Sequence, residues 1–220
     1  MYVGSRAGPG LRYPRGLEPF VIPGLDNQQP GTTAEEICMR KLVLYTLMSM
    51  DGVVEAPDRY IFDFDEVMYA NLARTIKAQD TVLLGRRTYD EWAPYWPTAE
   101  EQPFADFINE VPKFLISSAT PTVPWANTTV VSTPVAELVR RLKERPGGDI
   151  GVHGSIRLAQ SLLADNLVDE LRLVIAPAVL GSGRRLLGEG DEQLRQWNLL
   201  RLEGTPSGAV LADYELNRTR

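Results

Sequence analysis

Three short stretches carry residue types suited to holding an anion. VLLGRRTYDEW, at 82–92, is an apolar run that stops at Gly85 and opens onto Arg86, Arg87 and Thr88. Glycine lets a ligand approach the backbone, and the first N–H groups and dipole of a helix favour negative charge, to which the arginines add. KFLISSATP, at 113–121, ends a buried run in Ser117 and Ser118, whose hydroxyls can bond a ribose or its phosphate. DIGVHGSIRLAQSLL, at 149–163, repeats the glycine-then-helix pattern, with Val152, Gly154, Ser155 and Ile156 around the turn. Each has a plain alternative: a solvated helix start, a serine turn, a strand-to-helix corner with His153 as its neck. The GxGxxG dinucleotide fingerprint is absent. Arginine, serine and glycine chemistry at successive strand ends is more specific than any one of the three.

The periodicity that positions these stretches begins at Met39. It predicts strands at 41–49, 80–85, 113–117, 127–131, 150–153, 169–176, 196–204 and 209–216, and helices at 63–77, 86–93, about 101–110, 134–145 and 155–164. Strand–helix alternation points to an α/β, three-layer fold: a mostly parallel central sheet of about eight strands flanked by helices, closed by an antiparallel C-terminal hairpin around GTPSG. Asp63 with Glu66 reads as a capping box, and Thr133–Pro134 as a cap followed by a first-turn proline. Residues 1–38 contain six Gly and five Pro and no sustained period, so they read as a flexible extension, with 39–220 as a single domain.

Composition narrows the partners. A net charge of -6 and a pI near 5.0 supply no global field toward nucleic acid or an anionic membrane, so any anion site is local. One cysteine, Cys38, permits no intrachain disulfide, and with the single His153 it cannot build a clustered Cys/His metal site. Neither a membrane span nor an export signal is expected, which makes a cytoplasmic protein the expectation. The apolar closing strands make a homodimer the expected assembly.

GRRTY, LISSA and VHGSIRLAQSLL, with SMDG before them and LRLVIAPAVLGSG after, resemble the dihydrofolate reductase-like superfamily. Within it they are most similar to the reductase domain of the bifunctional deaminase-reductase of riboflavin biosynthesis. The resemblance covers residues 40 to 216 and implies an oxidoreductase using NADPH. It implies Arg86 and Arg87 at the adenosine 2′-phosphate, Thr88 at the pyrophosphate, and Ser117 and Ser118 on the adenine-ribose side, with Gly85 bringing the backbone close to the cofactor. Val152, Gly154, Ser155 and Ile156 would form the second pyrophosphate cradle, and the backbone at Leu47 and Val54 would hold the nicotinamide carboxamide. Two arginines around one phosphate favour NADP(H) over NAD(H). The loop 47–60, with Asp51 at its turn, would close over the nicotinamide, and Trp92 would wall a pocket for a flat heterocycle.

Two departures shape the expected activity. Folate reductases carry a carboxylate on the first helix that assists protonation, whereas VMYANLARTIK has none; Asp65, a turn earlier, is the candidate proton donor. A deaminase partner would require H-x-E and P-C-x-x-C zinc ligands, which one Cys and one His cannot supply. The expected function is therefore hydride transfer to a small pyrimidine- or pterin-like heterocycle by a lone reductase domain. Arg184 of GSGRRLL, or Arg59, would receive a substrate phosphate. Dihydrofolate reduction proper and a non-catalytic nucleotide-binding protein of the same fold are the alternatives.

Overall fold

A computed structural model describes residues 40–187 and 193–218. The expected extension over 1–38, and Cys38 with it, lies outside the described residues. The element order is β1 (Leu42–Ser49), α1 (Glu66–Lys77), β2 (Gln79–Gly85), α2 (Arg86–Trp92), α3 (Phe104–Glu110), β3 (Lys113–Ile116), β4 (Thr128–Val131), α4 (Val135–Lys143), β5 (Asp149–His153), α5 (Ile156–Ala164), β6 (Glu170–Ala176), β7 (Trp197–Gly204) and β8 (Val210–Leu216). The sheet runs β4-β3-β2-β5-β1-β6-β8-β7. The pairings from β4 across to β6 are parallel, and β8 is antiparallel to both β6 and β7. The expected α/β architecture with its closing hairpin is thus the one observed.

Parallel strands covered on both faces read as continuous apolar runs, and here successive residues serve opposite layers. Val82 and Leu84 of β2 join Met68, Leu72 and Ile76 of α1 and Phe104 and Ile108 of α3 in one core layer. Leu83 joins Leu42, Leu44, Ile150 and Val152 under Leu138, Val139 and Leu142 of α4 and Leu158 and Leu162 of α5 in the other. Burying each such side chain contributes about 1.5–3 kcal/mol.

The N-terminal ends of the strands are held by charge. Arg40 donates to Gly148 O (2.7 Å) and Thr81 Oγ1 (2.7 Å) and pairs with Asp80. Lys41 and Arg172 both meet Glu170, at 2.7 and 2.8 Å. At the C-terminal ends the ion pairs lie along helix α2 or between loops instead of on the strands.

Two helix starts differ from expectation. Helix α1 begins at Glu66, capped by Asp65, whose Oδ1 accepts from Met68 N at 3.0 Å, so Asp63 and Glu66 form no capping box. Helix α4 is capped at Pro134 with no side-chain bond, so Thr133 does not cap it.

Candidate functional site

In an open α/β sheet, ligands bind beyond the carboxyl ends of the strands where the chain reverses its direction of travel. Strands β1 and β5 are neighbours, yet β1 leads into α1 on one face and β5 into α5 on the other. The crevice between them opens on the edge where β2 and β3 also end, so the three anion-suited stretches meet there.

Hydrogen bonds tie these ends together. Gly85 N donates to Ser155 Oγ at 3.0 Å, joining the end of β2 to the start of α5. Thr88 Oγ1 donates to Gly154 O at 3.2 Å. Because the Ser155 hydroxyl is taken up by Gly85, it does not cap its own helix, and the first N–H groups of α5 face outward without a side-chain acceptor. Gly154 sits at φ +64°, and a Cβ there would lie 2.8 Å from Trp92 Cζ2, so only glycine fits the turn. Thr88 and Ser155 are buried, and Val152 is wholly inside the sheet, in register with Leu44 and Leu83, so it offers a ligand no side chain.

The two arginines part company. Arg86 grips Asp90 with Nε 2.8 Å from both carboxylate oxygens, and its Nη1 donates to Ala119 O (3.3 Å) and Thr120 O (3.5 Å), on the loop that follows Ser117 and Ser118. Arg87 pairs with Glu91 at 2.9 Å and lies within the field of Glu55, which adds to the upward push Glu91 gives its pKa. They therefore reach opposite sides of α2 rather than closing on one phosphate. Both partners are solvent-exposed pairs along a helix, a kind that contributes well under 1 kcal/mol and exchanges readily for a ligand. Ser117 Oγ bonds its own loop at Ala119, and Ser118 is exposed.

A cation missed in the sequence completes this corner. Arg157, on the first turn of α5 two residues past Ser155, is exposed and has no hydrogen-bond or ion-pair partner among the described residues. Its position in GSIR at a helix start was the available signal.

The loop after β1 is stitched down. Asp51 Oδ1 accepts from Ser49 Oγ (2.7 Å) and Leu180 N (3.1 Å), and Oδ2 from Gly181 N (2.9 Å). The Ser49 bond above all, with the backbone bonds, holds the Asp51 pKa down to about 2. With both oxygens engaged, Asp51 is a positioning residue for the loop and not a free substrate ligand. Val54 N donates to Arg184 O at 2.9 Å, and Leu47 O receives the Tyr60 hydroxyl at 3.1 Å, so two backbone groups expected at the carboxamide serve the fold. Arg184 itself meets Glu55 at 2.8 Å through Nε and Nη2, a neutralised cation where a phosphate receiver was expected. Arg59 is exposed and unpaired among the described residues.

An aromatic cluster flanks the Gly154 turn. Trp92 packs edge-on to Trp96 (5.8 Å) and Phe104 (5.7 Å), and Phe104 and Phe107 meet His153 at 5.4 and 6.1 Å. His153 is buried, with Nε2 2.8 Å from Gln79 Oε1, and burial drives its pKa down to about 3. It is a neutral core residue, as the neck reading expected. Gly151 makes that bond possible, since a Cβ there would lie 2.1 Å from Gln79 Oε1.

Asp65 is likewise committed. Besides capping α1 through Oδ1, it accepts from Ser207 N at 3.0 Å through Oδ2, pinning the β7–β8 turn. Desolvation pushes its pKa up, but the bonds from Ser207 and Met68 outweigh it and bring it to about 2. A carboxyl held ionised with both oxygens occupied is a poor proton donor, which corrects the expectation for this residue.

The mostly parallel eight-stranded sheet, flanked by helices and closed by an antiparallel hairpin, is an α/β protein of the dihydrofolate reductase-like fold. A family model described as the RibD C-terminal domain matches residues 40–211, and the chain belongs to that family of riboflavin-biosynthesis reductase domains. It is 27% identical over 186 residues to the uncharacterized protein YyaP of Bacillus subtilis (strain 168), covering 81% of this chain and 96% of that one. Its fold matches a putative riboflavin biosynthesis protein from Shewanella sp. PV-4 with a TM-score of 0.66 at 18% identity, over 81% of this chain and 99% of that one. It also matches a dihydrofolate reductase from Enterococcus faecalis complexed with NADP(H) and RAB-propyl, with a TM-score of 0.54 at 14% identity, over 80% and 96%. Among the described residues no helix is long and apolar enough to cross a membrane, and no cluster of His, Cys, Asp or Glu could hold a metal ion.

Proposed function

We propose that this chain is an NADPH-dependent reductase of a small, flat heterocycle of the pyrimidine or pterin kind. The observation that carries the reading is the bonded junction of β2 and β5: Gly85 N on Ser155 Oγ and Thr88 on Gly154 O set a bare glycine turn against the open N-terminus of α5. The turn suits a pyrophosphate because the exposed Gly154, whose φ of +64° favours glycine, leads into a helix start that no side chain caps.

Bound there, the cofactor would supply a hydride from its nicotinamide ring, with the protein providing orientation and a dry site. Gly154, Ser155 and Ile156 present backbone to the pyrophosphate, and Thr88 orients the Gly154 carbonyl away from it. Arg86, beside the loop carrying Ser117 and Ser118, and Arg157 supply positive donors for a 2′-phosphate. Trp92, Trp96 and Phe107 stack the acceptor ring and exclude water from it. With Asp65 and His153 committed, water delivers the proton to the reduced C=N or C=O.

The test is cofactor titration followed by NADPH oxidation against a panel of pyrimidine and pterin compounds. Tight NADPH binding, weak NADH binding and turnover with a pyrimidine are expected. Equal affinity for the two cofactors would remove the phosphate assignment, and turnover confined to dihydrofolate would favour the folate-reductase alternative.

A further inference from the structure

Buried polar groups in folded chains are nearly always hydrogen-bonded, so one that finds no partner in its own chain points to a partner outside it. Three such groups meet beneath α1. Tyr45 on β1, Asn71 on α1 and Asp213 on β8 are 6%, 2% and 5% exposed, and Tyr45 Oη, Asn71 Nδ2 and Asp213 Oδ1 have no hydrogen-bond partner among the described residues. Arg74 fixes two of them side by side. Its Nη2 lies 2.7 Å from Asn71 Oδ1 and 2.6 Å from Asp213 Oδ2, and Arg201 Nη1 also donates to Asn71 Oδ1, at 3.0 Å. Tyr45 joins them through the sheet. Tyr45, Arg172 and Asp213 are register partners on β1, β6 and β8, so their side chains rise from one face, the one on which Tyr45 packs in the core layer of α1. Arg172, the residue between, is drawn to Glu170 at 2.8 Å. Burial above all, then the charge of Asp213, pushes the Tyr45 pKa up, so hydroxyl and carboxylate lie within each other's field.

We propose that Tyr45 Oη, Asn71 Nδ2 and Asp213 Oδ1 together bind one internal water molecule between α1 and the sheet. The three groups are the complement of water. A hydroxyl and an amide N–H donate to its oxygen, and the carboxylate accepts one of its hydrogens, which gives the three bonds usual for a buried water. The amide donor and the Arg74 guanidinium on the same carboxylate disfavour a metal cation in this place, and Asp213 itself disfavours an anion. The water does for the second turn of α1 what Asp65 does for its start: it ties the helix across to β1 and β8.

The test is a high-resolution crystal structure of the full chain. A density peak within about 2.7–3.2 Å of all three atoms is expected. No peak with the side chains as described, a direct Tyr45–Asp213 hydrogen bond in its place, or a peak with metal-like contacts of about 2.0–2.6 Å overturns the proposal. Denaturant unfolding of paired variants supplies a reading in solution. Tyr45→Phe is expected to raise the unfolding equilibrium constant about tenfold. Asn71→Asp keeps an acceptor for Arg74 and Arg201 but removes the amide donor, so the water is already loosened. Adding Tyr45→Phe to that variant is expected to cost no more than about twofold further. An equal factor in both backgrounds would mean that the hydroxyl and the amide share no ligand, and the proposal falls.

Discussion

Gly154 and Trp92 are in such close contact that a methyl group on the glycine would lie 2.8 Å from the indole. The glycine turn is therefore braced by Trp92, so the proposed cofactor and substrate sites share one contact. Gly154→Ala adds this clash to the cost of a non-glycine residue at φ +64°, together about 2–3 kcal/mol. The variant is expected to lose NADPH affinity more than tenfold in a fluorescence titration, with a lowered midpoint in thermal unfolding. Adding Trp92→Phe, which removes Cζ2, is expected to recover part of the stability.

Arg86 opens α2 and Arg157 lies in the first turn of α5, the two elements that follow the bonded ends of β2 and β5, one weakly paired and one without a partner among the described residues. Replacing either with Gln is expected to weaken NADPH by about 1.5–3 kcal/mol, the scale of a hydrogen bond to a charged group. NADH binding should barely change, because it lacks the phosphate. Cofactor titrations of both variants check this, and equal losses for the two cofactors would place the arginines elsewhere.

Asp65→Asn separates positioning from proton transfer. Asparagine still accepts from Met68 N through its carbonyl but turns an amide toward Ser207 N, so α1 and the β7–β8 turn come apart at one bond, at a cost of about 1 kcal/mol. Turnover and its pH profile are expected to be kept near those of the parent. A collapse of kcat at high pH with unchanged stability would return Asp65 to the role of acid.

His153 is the only histidine, and its folded pKa near 3 lies below its ordinary value of 6.5. Between those values the unfolded chain binds a proton that the folded chain refuses. Stability is thus complete above about pH 6.5 and falls as the pH drops toward 3, by at most about 1.4 kcal/mol per pH unit. Denaturant unfolding from pH 7 to 5 is expected to show this slope. His153→Gln, which keeps an amide donor toward Gln79, is expected to flatten it.

The fold was legible in the sequence because its strands are short apolar runs punctuated by glycines and its helices carry clear stripes, such as Met68, Leu72 and Ile76. The three anion-suited turns were legible for the same reason, each being a strand end in plain view. What escaped was decided over long separations. Asp63 with Glu66 satisfies the local capping pattern, yet Asp65 is the cap because Ser207, 142 residues away, bonds its second oxygen. Asp51–Gly52 reads as a turn that could swing, and it is fastened by the Leu180 and Gly181 amides, at separations of 129 and 130 residues. Arg86 and Arg87 are adjacent in sequence and so suggest one target, but successive residues of a helix point about 100° apart. Gly151 gave no hint that it clears space for the Gln79–His153 bond.

The ion pairs of Arg40, Lys41 and Arg172 gather at the end of the sheet opposite the glycine turns. Strand register at that end is held by charge away from the candidate site. Loops at the other end that do not carry the Asp51 and Glu55 bonds can vary without touching these pairs. A scaffold divided in this way leaves room for the end that carries the proposed site to change while the strand ends opposite stay fixed.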